Sequence, residues 1–192
     1  NFFDAILIGE GEEAIREFTA VYLKSRDEGL PFSELLERIS QIEGFYVPSL
    51  YRVKYAPGGE ISGFEQKASA PARVQRRFIK NLDAFPTFTT IQTPETEFKA
   101  MFMTETGRGC EVGCRFCVAG YMYRPTRKRS RETIAETVQV GVETSQSVGF
   151  VGAAVSSHPA IAELARSVAE SGKRAALSSI MSQRVTPELA TS

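Results

Sequence analysis

The chain has 192 residues, 42% of them apolar, with 23 basic and 23 acidic side chains. That length suits one to two domains with a buried core, and the zero net charge excludes a global electrostatic pull toward nucleic acid or membrane. No apolar run approaches the roughly 20 residues of a membrane span, and the opening run through Asp4 carries an acid with no basic flank, unlike a signal peptide.

Residues 4–8, Asp-Ala-Ile-Leu-Ile, are continuously apolar after the acid, the pattern of a strand buried on both faces of a parallel sheet. Gly9-Glu10-Gly11 ends the run. A helix is predicted from Glu12 to about Ser25, with Ala14, Ile15, Phe18, Val21 and Tyr22 on one stripe. A second helix is predicted from Phe32 to Ile42, capped at Ser33, with Leu35, Leu36, Ile39 and Ile42 inward. Residues 44–48 read as a strand stopped by Pro48.

From Leu50 to Glu65 the pattern alternates on either side of Ala56-Pro57-Gly58-Gly59, which predicts a β-hairpin. Residues 65–99, with Pro71, Pro86 and Pro94, read as a connector. Its basic run from Arg73 to Arg77 fits a solvated or salt-bridged face better than a phosphate site.

An apolar strand over 99–106 then runs directly into the chain's three cysteines, Cys110, Cys114 and Cys117, spaced C-x3-C-x2-C. Gly107, Gly109 and Gly113 remove Cβ atoms from the turns of this loop. An odd number of cysteines in so short a run disfavours a disulfide framework. A structural zinc wants a fourth ligand, and the one histidine, His158, lies far downstream. Three thiolates on one loop suit a four-iron cluster with one iron left open.

These residues, with Phe116 just before the third cysteine, resemble the radical S-adenosylmethionine (SAM) superfamily. The resemblance implies a 4Fe–4S cluster on Cys110, Cys114 and Cys117, SAM chelated at the open iron with Phe116 against its adenine, and reductive cleavage of SAM to a 5′-deoxyadenosyl radical. It also implies an electron donor such as flavodoxin or ferredoxin, and an oxygen-sensitive cluster suits the cytoplasm. Methyl or methylthio transfer and cobalamin-assisted rearrangement all fit this architecture. A non-catalytic iron–sulfur or zinc-binding module is the alternative.

The cysteine loop continues into an arginine-rich stretch with Arg124, Arg127 and Arg129, read as pairing with local carboxylates in preference to binding an anionic substrate such as RNA. A helix capped by Ser130 follows, carrying Ile134, Val138, Val140 and Val142. A second strand is predicted over 147–154. In the family its end contacts the SAM amino group, which here falls to Gly152 and Ala153 without the usual carboxylate. His158 opens a helix over 159–170 and reads as a polar loop residue in preference to a catalytic one. A third strand, 173–177, ends at Ser178 and Ser179, which the resemblance places near the SAM ribose or carboxylate, and Pro187 opens another helix.

The N-terminal run from Asp4 to Glu12 is also similar to the cobalamin-binding-type domain that precedes the barrel in one branch of the superfamily. The histidine loop that would ligate cobalt, Asp-x-His-x-x-Gly, is absent from the chain, so cobalamin belongs at most to a longer parent. The expected fold is therefore α/β. Residues 1–64 would be the end of a Rossmann-like parallel-sheet domain with its hairpin, 65–99 a connector, and 100–192 the first half of a radical SAM partial (β/α) barrel, an incomplete fragment.

Overall fold

The computed structural model describes residues 2–190. The chain divides into two compact units between Ile79 and Lys80, inside the stretch read as a connector.

In the first unit, β1 (Ile6–Leu7) leads through a glycine turn to α1 (Ala14–Asp27) and α2 (Phe32–Ser40), then to β2 (Phe45–Tyr46). The strand at the start was expected in a parallel sheet buried on both faces. Instead β1 pairs antiparallel with β2, Ile6 opposite Tyr46 and Leu7 opposite Phe45, and Ile6 and Ile8 are exposed. A run of apolar residues signals a strand but not its partner, and here the partner arrives after two helices that reverse the chain. On its other side Gly9 bridges in parallel to Arg77.

The helical stripes are narrower than the sequence implied. Ala14 is buried, Phe18 and Val21 pack at the edge of the core, and Ile15 and Tyr22 are exposed. In α2, Leu36 and Ile39 are buried with Ile42 beyond its end, while the predicted cap Ser33 lies inside the helix and Pro31 takes the cap position. Proline's fixed φ suits a helix start, and no side-chain cap is made. Phe45, Val47 and Leu50 complete this core. The predicted hairpin is present as β3 (Tyr51–Tyr55) and β4 (Ile61–Gln66), antiparallel with Val53 opposite Phe64. Arg77, from the basic run, is buried and donates to Glu17 (2.7 Å) and Glu13 (3.2 Å) of its own unit.

The second unit is built on a parallel sheet. Its strands are β5 (Phe102–Glu105), β8 (Ser147–Val151) and β9 (Arg174–Leu177), in the order β5-β8-β9. Between the first two lie β6 (Gly107–Arg108), α3 (Ala119–Met122), β7 (Arg127–Lys128) and α4 (Arg131–Thr144). Helix α5 (Ile161–Glu170) connects β8 to β9, and α6 (Pro187–Ala190) follows. Neighbouring strands joined through helices give the βαβ pattern expected from alternating apolar strands and amphipathic helices.

The core fills the space between sheet and helices: Phe102, Val148 and Phe150 from the sheet, Ile134 and Val138 from α4, Ile161, Leu164 and Val168 from α5. Thr104 and Thr137 satisfy each other inside it at 2.7 Å. Val140, expected on the buried face of α4, is exposed, since it sits off the stripe set by Ile134, Val138 and Gly141. Ser130 caps α4 as predicted, accepting from Thr133 N at 3.1 Å. Residues 87–89 run antiparallel against β5, with Thr89 N donating to Met103 O (2.9 Å) and Glu105 N to Thr87 O (3.0 Å), so this part of the connector serves as an edge of the second unit's sheet.

Candidate cysteine-loop site

The cysteines lie at the carboxyl end of β5, the end of a parallel sheet where loops build active sites. Gly107 and Arg108 of β6 pair with Lys128 and Arg127 of β7, so the ladder closes the base of a loop, residues 109–126, that carries all three thiols. Two glycines make that closure possible. A Cβ at Gly107 would lie 2.6 Å from Arg127 O, and one at Gly109, whose φ is +80°, would lie 2.5 Å from Tyr123 O. Gly113, also predicted to relieve crowding, has only ordinary contacts.

Within the loop the three cysteines are free and partly exposed. Cys110 Sγ accepts from Val112 N at 3.4 Å, and Cys117 N donates to Cys114 O at 3.2 Å in a turn. Among the described residues no group of three or more His, Cys, Asp or Glu side chains is gathered closely enough to hold a metal ion. The donor set nevertheless has the chemistry for one: three thiols, none spent in a disulfide, delivered by one loop. Phe116 is 91% exposed. Tyr121 donates to Gly113 O at 3.2 Å and carries the Arg124 guanidinium over its ring at 5.0 Å.

The other predicted residues converge beside the base of this loop. Thr106, Gly107, Gly109, Gly152, Ala153 and His158 line one shallow recess, in which a Cβ at Gly152 would meet Thr106 Oγ1 at 3.0 Å. Ser179 Oγ donates to Gly152 O (2.9 Å) and accepts from Val155 N (3.0 Å), tying the loops after β8 and β9 together. Ser178 Oγ lies 3.4 Å from the same carbonyl and is more exposed. His158 is buried; its Nδ1 accepts from Ala160 N at 3.2 Å, so Nε2 donates to Arg129 O at 2.9 Å. With both ring nitrogens committed, it is a bracket between the start of α4 and the start of α5.

Sequence reasoning missed the hub beneath the loop. Glu105, the last residue of β5, receives Arg108 Nε at 2.8 Å and Nη2 at 3.2 Å, and also Arg129 Nη2. Arg129 is 3% exposed; it donates further to Leu82 O and to Thr87 Oγ1 (2.9 Å), and its Nε is buried without a partner. Burial pushes the Glu105 carboxyl up, but the Arg108 and Arg129 guanidiniums outweigh it and hold the group below its ordinary value. The arginine-rich stretch thus divides: Arg129 pairs with a carboxylate as expected, while Arg127 donates to the carbonyls of Pro125 and Tyr123.

A cavity of about 570 Å³ opens at the opposite, amino-terminal end of the sheet beside Lys99, Gln146 and Arg174, and holds none of the predicted site residues. Among the described residues no helix is long and apolar enough to cross a membrane.

Residues 1–48 match the family described as radical SAM proteins, N-terminal. That match supports the radical SAM superfamily. It covers the first unit's helices and not the cysteine loop. An uncharacterized protein of Methanocaldococcus jannaschii is 26% identical over 134 residues, which cover 68% of this chain and 30% of that protein. The chain therefore spans less than a third of the length of the curated relative it matches. No solved structure matches.

Proposed function

We propose that the chain is part of a radical SAM enzyme in which Cys110, Cys114 and Cys117 hold a 4Fe–4S cluster and SAM lies against Gly152, Ala153, Ser178, Ser179 and Phe116. The observation that carries this reading is three free thiols on one loop at the carboxyl end of a parallel strand, in a chain whose residues 1–48 match a radical SAM family. When bound, the cluster would supply the electron that cleaves SAM for attack on a C–H bond. The chain's own contribution is positional. The β6–β7 ladder holds the loop closed at its base, Gly152 leaves room for close approach beside Thr106, and the lightly held Ser178 hydroxyl is free to turn toward a ligand.

The reaction belongs to the longer protein, as methyl or methylthio transfer on a substrate not yet identified, with flavodoxin or ferredoxin as the electron source. Reduced thiols suit a cytoplasmic setting. Cobalamin is assigned to none of these residues. Anaerobic reconstitution of Cys114→Ala beside the wild type tests the ligand set: the variant should lose the cluster's iron and absorption. Retention of both would remove Cys114 from the site.

A further inference from the structure

The loop that bears the cysteines stands on two legs, Gly107-Arg108 and Arg127-Lys128, joined by a ladder of only two residue pairs. So short a ladder fixes little by itself, and isolated two-stranded pieces are marginal in water. What grips the legs from below is one carboxylate. Glu105 takes a two-pronged bond from Arg108, on the outgoing leg, and a close bond from Arg129, the residue that follows the returning leg. Arg129 is in turn fixed by its backbone, N donating to Thr106 O (3.0 Å) and O accepting from His158 Nε2 (2.9 Å). One step on, Ser130 N donates to Asp83 Oδ1 at 2.9 Å before the cap of α4 begins.

We propose that Glu105 is the positioning residue of the cysteine loop, a half-buried carboxylate that locks both legs and so sets where Cys110, Cys114 and Cys117 are held. It touches no thiol. Its effect passes through Arg108 and Arg129 to the ladder. Charge-assisted, two-pronged pairs of this kind are the strong and geometrically strict ones; on the returning leg Lys128 Nζ adds a bond to Ser157 O at 2.7 Å, which holds one leg only. The part of the inference that concerns metal uptake rests on the cluster reading above, whereas loop closure does not.

The full chain, metal-free and reduced, is compared as wild type, Glu105→Gln, Arg108→Gln and Arg108→Lys. Alkylation of each cysteine is followed by peptide mass spectrometry, amide exchange is measured over residues 107–128, and iron uptake is measured in parallel. Loss of one charge-assisted pair should speed thiol alkylation and exchange in the loop about tenfold, leave α4 and β8 protected, and lower iron uptake; Arg108→Lys should fall between wild type and Arg108→Gln. If Glu105→Gln fails to fold because Arg129 is left buried and unpaired, the Arg108 variants decide, since they keep the Glu105–Arg129 pair. Unchanged alkylation and exchange in folded Arg108→Gln would overturn the proposal. A wild type that takes up no iron while the variants still open the loop would sink the cluster reading and leave the lock standing.

Discussion

At the scale of single residues, the most consequential group is one that binds nothing in the proposed reaction. Glu105 is held below its ordinary value of 4.5 by two guanidiniums. A carboxylate depressed on folding stabilises the folded state above its unfolded pKa and loses that contribution as pH falls through the folded one. The stability gap between wild type and Glu105→Gln should therefore be widest near neutrality and close as pH drops below about 4.5; thermal unfolding at a series of pH values measures it, and a constant gap would contradict the pairing. Gly109 makes a second test. With φ at +80° and Tyr123 O where a Cβ would stand, Gly109→Ala should destabilise the loop by roughly 1–3 kcal/mol, read as faster amide exchange over 109–126. Arg77 illustrates a different use of charge: its guanidinium draws Glu17 below the ordinary carboxylate range, and Glu17 is half exposed, so salt should screen much of that gain.

At the scale of elements, β5 joins core to site. Phe102 is 1% exposed, stacks on Phe88 at 5.7 Å and packs against α4, while three residues later the same strand presents Glu105 to the loop. Phe102→Ala should destabilise the second unit by about 3–5 kcal/mol, with protection lost at α4 and β8 amides in hydrogen exchange; a smaller effect would mean that Phe88 moves in to fill the space. Periodicity made α1, α2, α4 and α5 legible to within a few residues, and β8 and β9 stood out as short apolar runs. Pairing was legible in the β3–β4 hairpin, whose turn is local, and not for the first strand or for 87–89. Nothing in Asp4-Ala5-Ile6-Leu7-Ile8 distinguishes a parallel neighbour from β2, and the threonines of 87–89 gave no sign that they lie along β5. Both depend on chain reversals fixed by packing far away in sequence.

At the scale of the whole molecule, the chain holds two cores in two units, and the candidate site residues belong to the second. The cysteine spacing made the candidate site legible because covalent reach within one loop is a local property. Glu105 escaped notice as the partner of Arg129 because 23 residues lie between them and its charge, read in sequence, looks like ordinary surface. His158 reads in sequence as a polar loop residue in preference to a catalytic one, and the bonds at both its ring nitrogens agree with that reading. The proposed function requires that three thiolates on this loop hold one iron–sulfur cluster with an iron left for SAM. Iron and sulfide analysis of the anaerobically reconstituted chain, with electron paramagnetic resonance of the reduced protein before and after SAM is added, tests it most directly. About four iron and four sulfide per chain, with a signal that changes when SAM binds, is the expected result; a chain that takes up zinc but no iron, or a cluster signal indifferent to SAM, would contradict it.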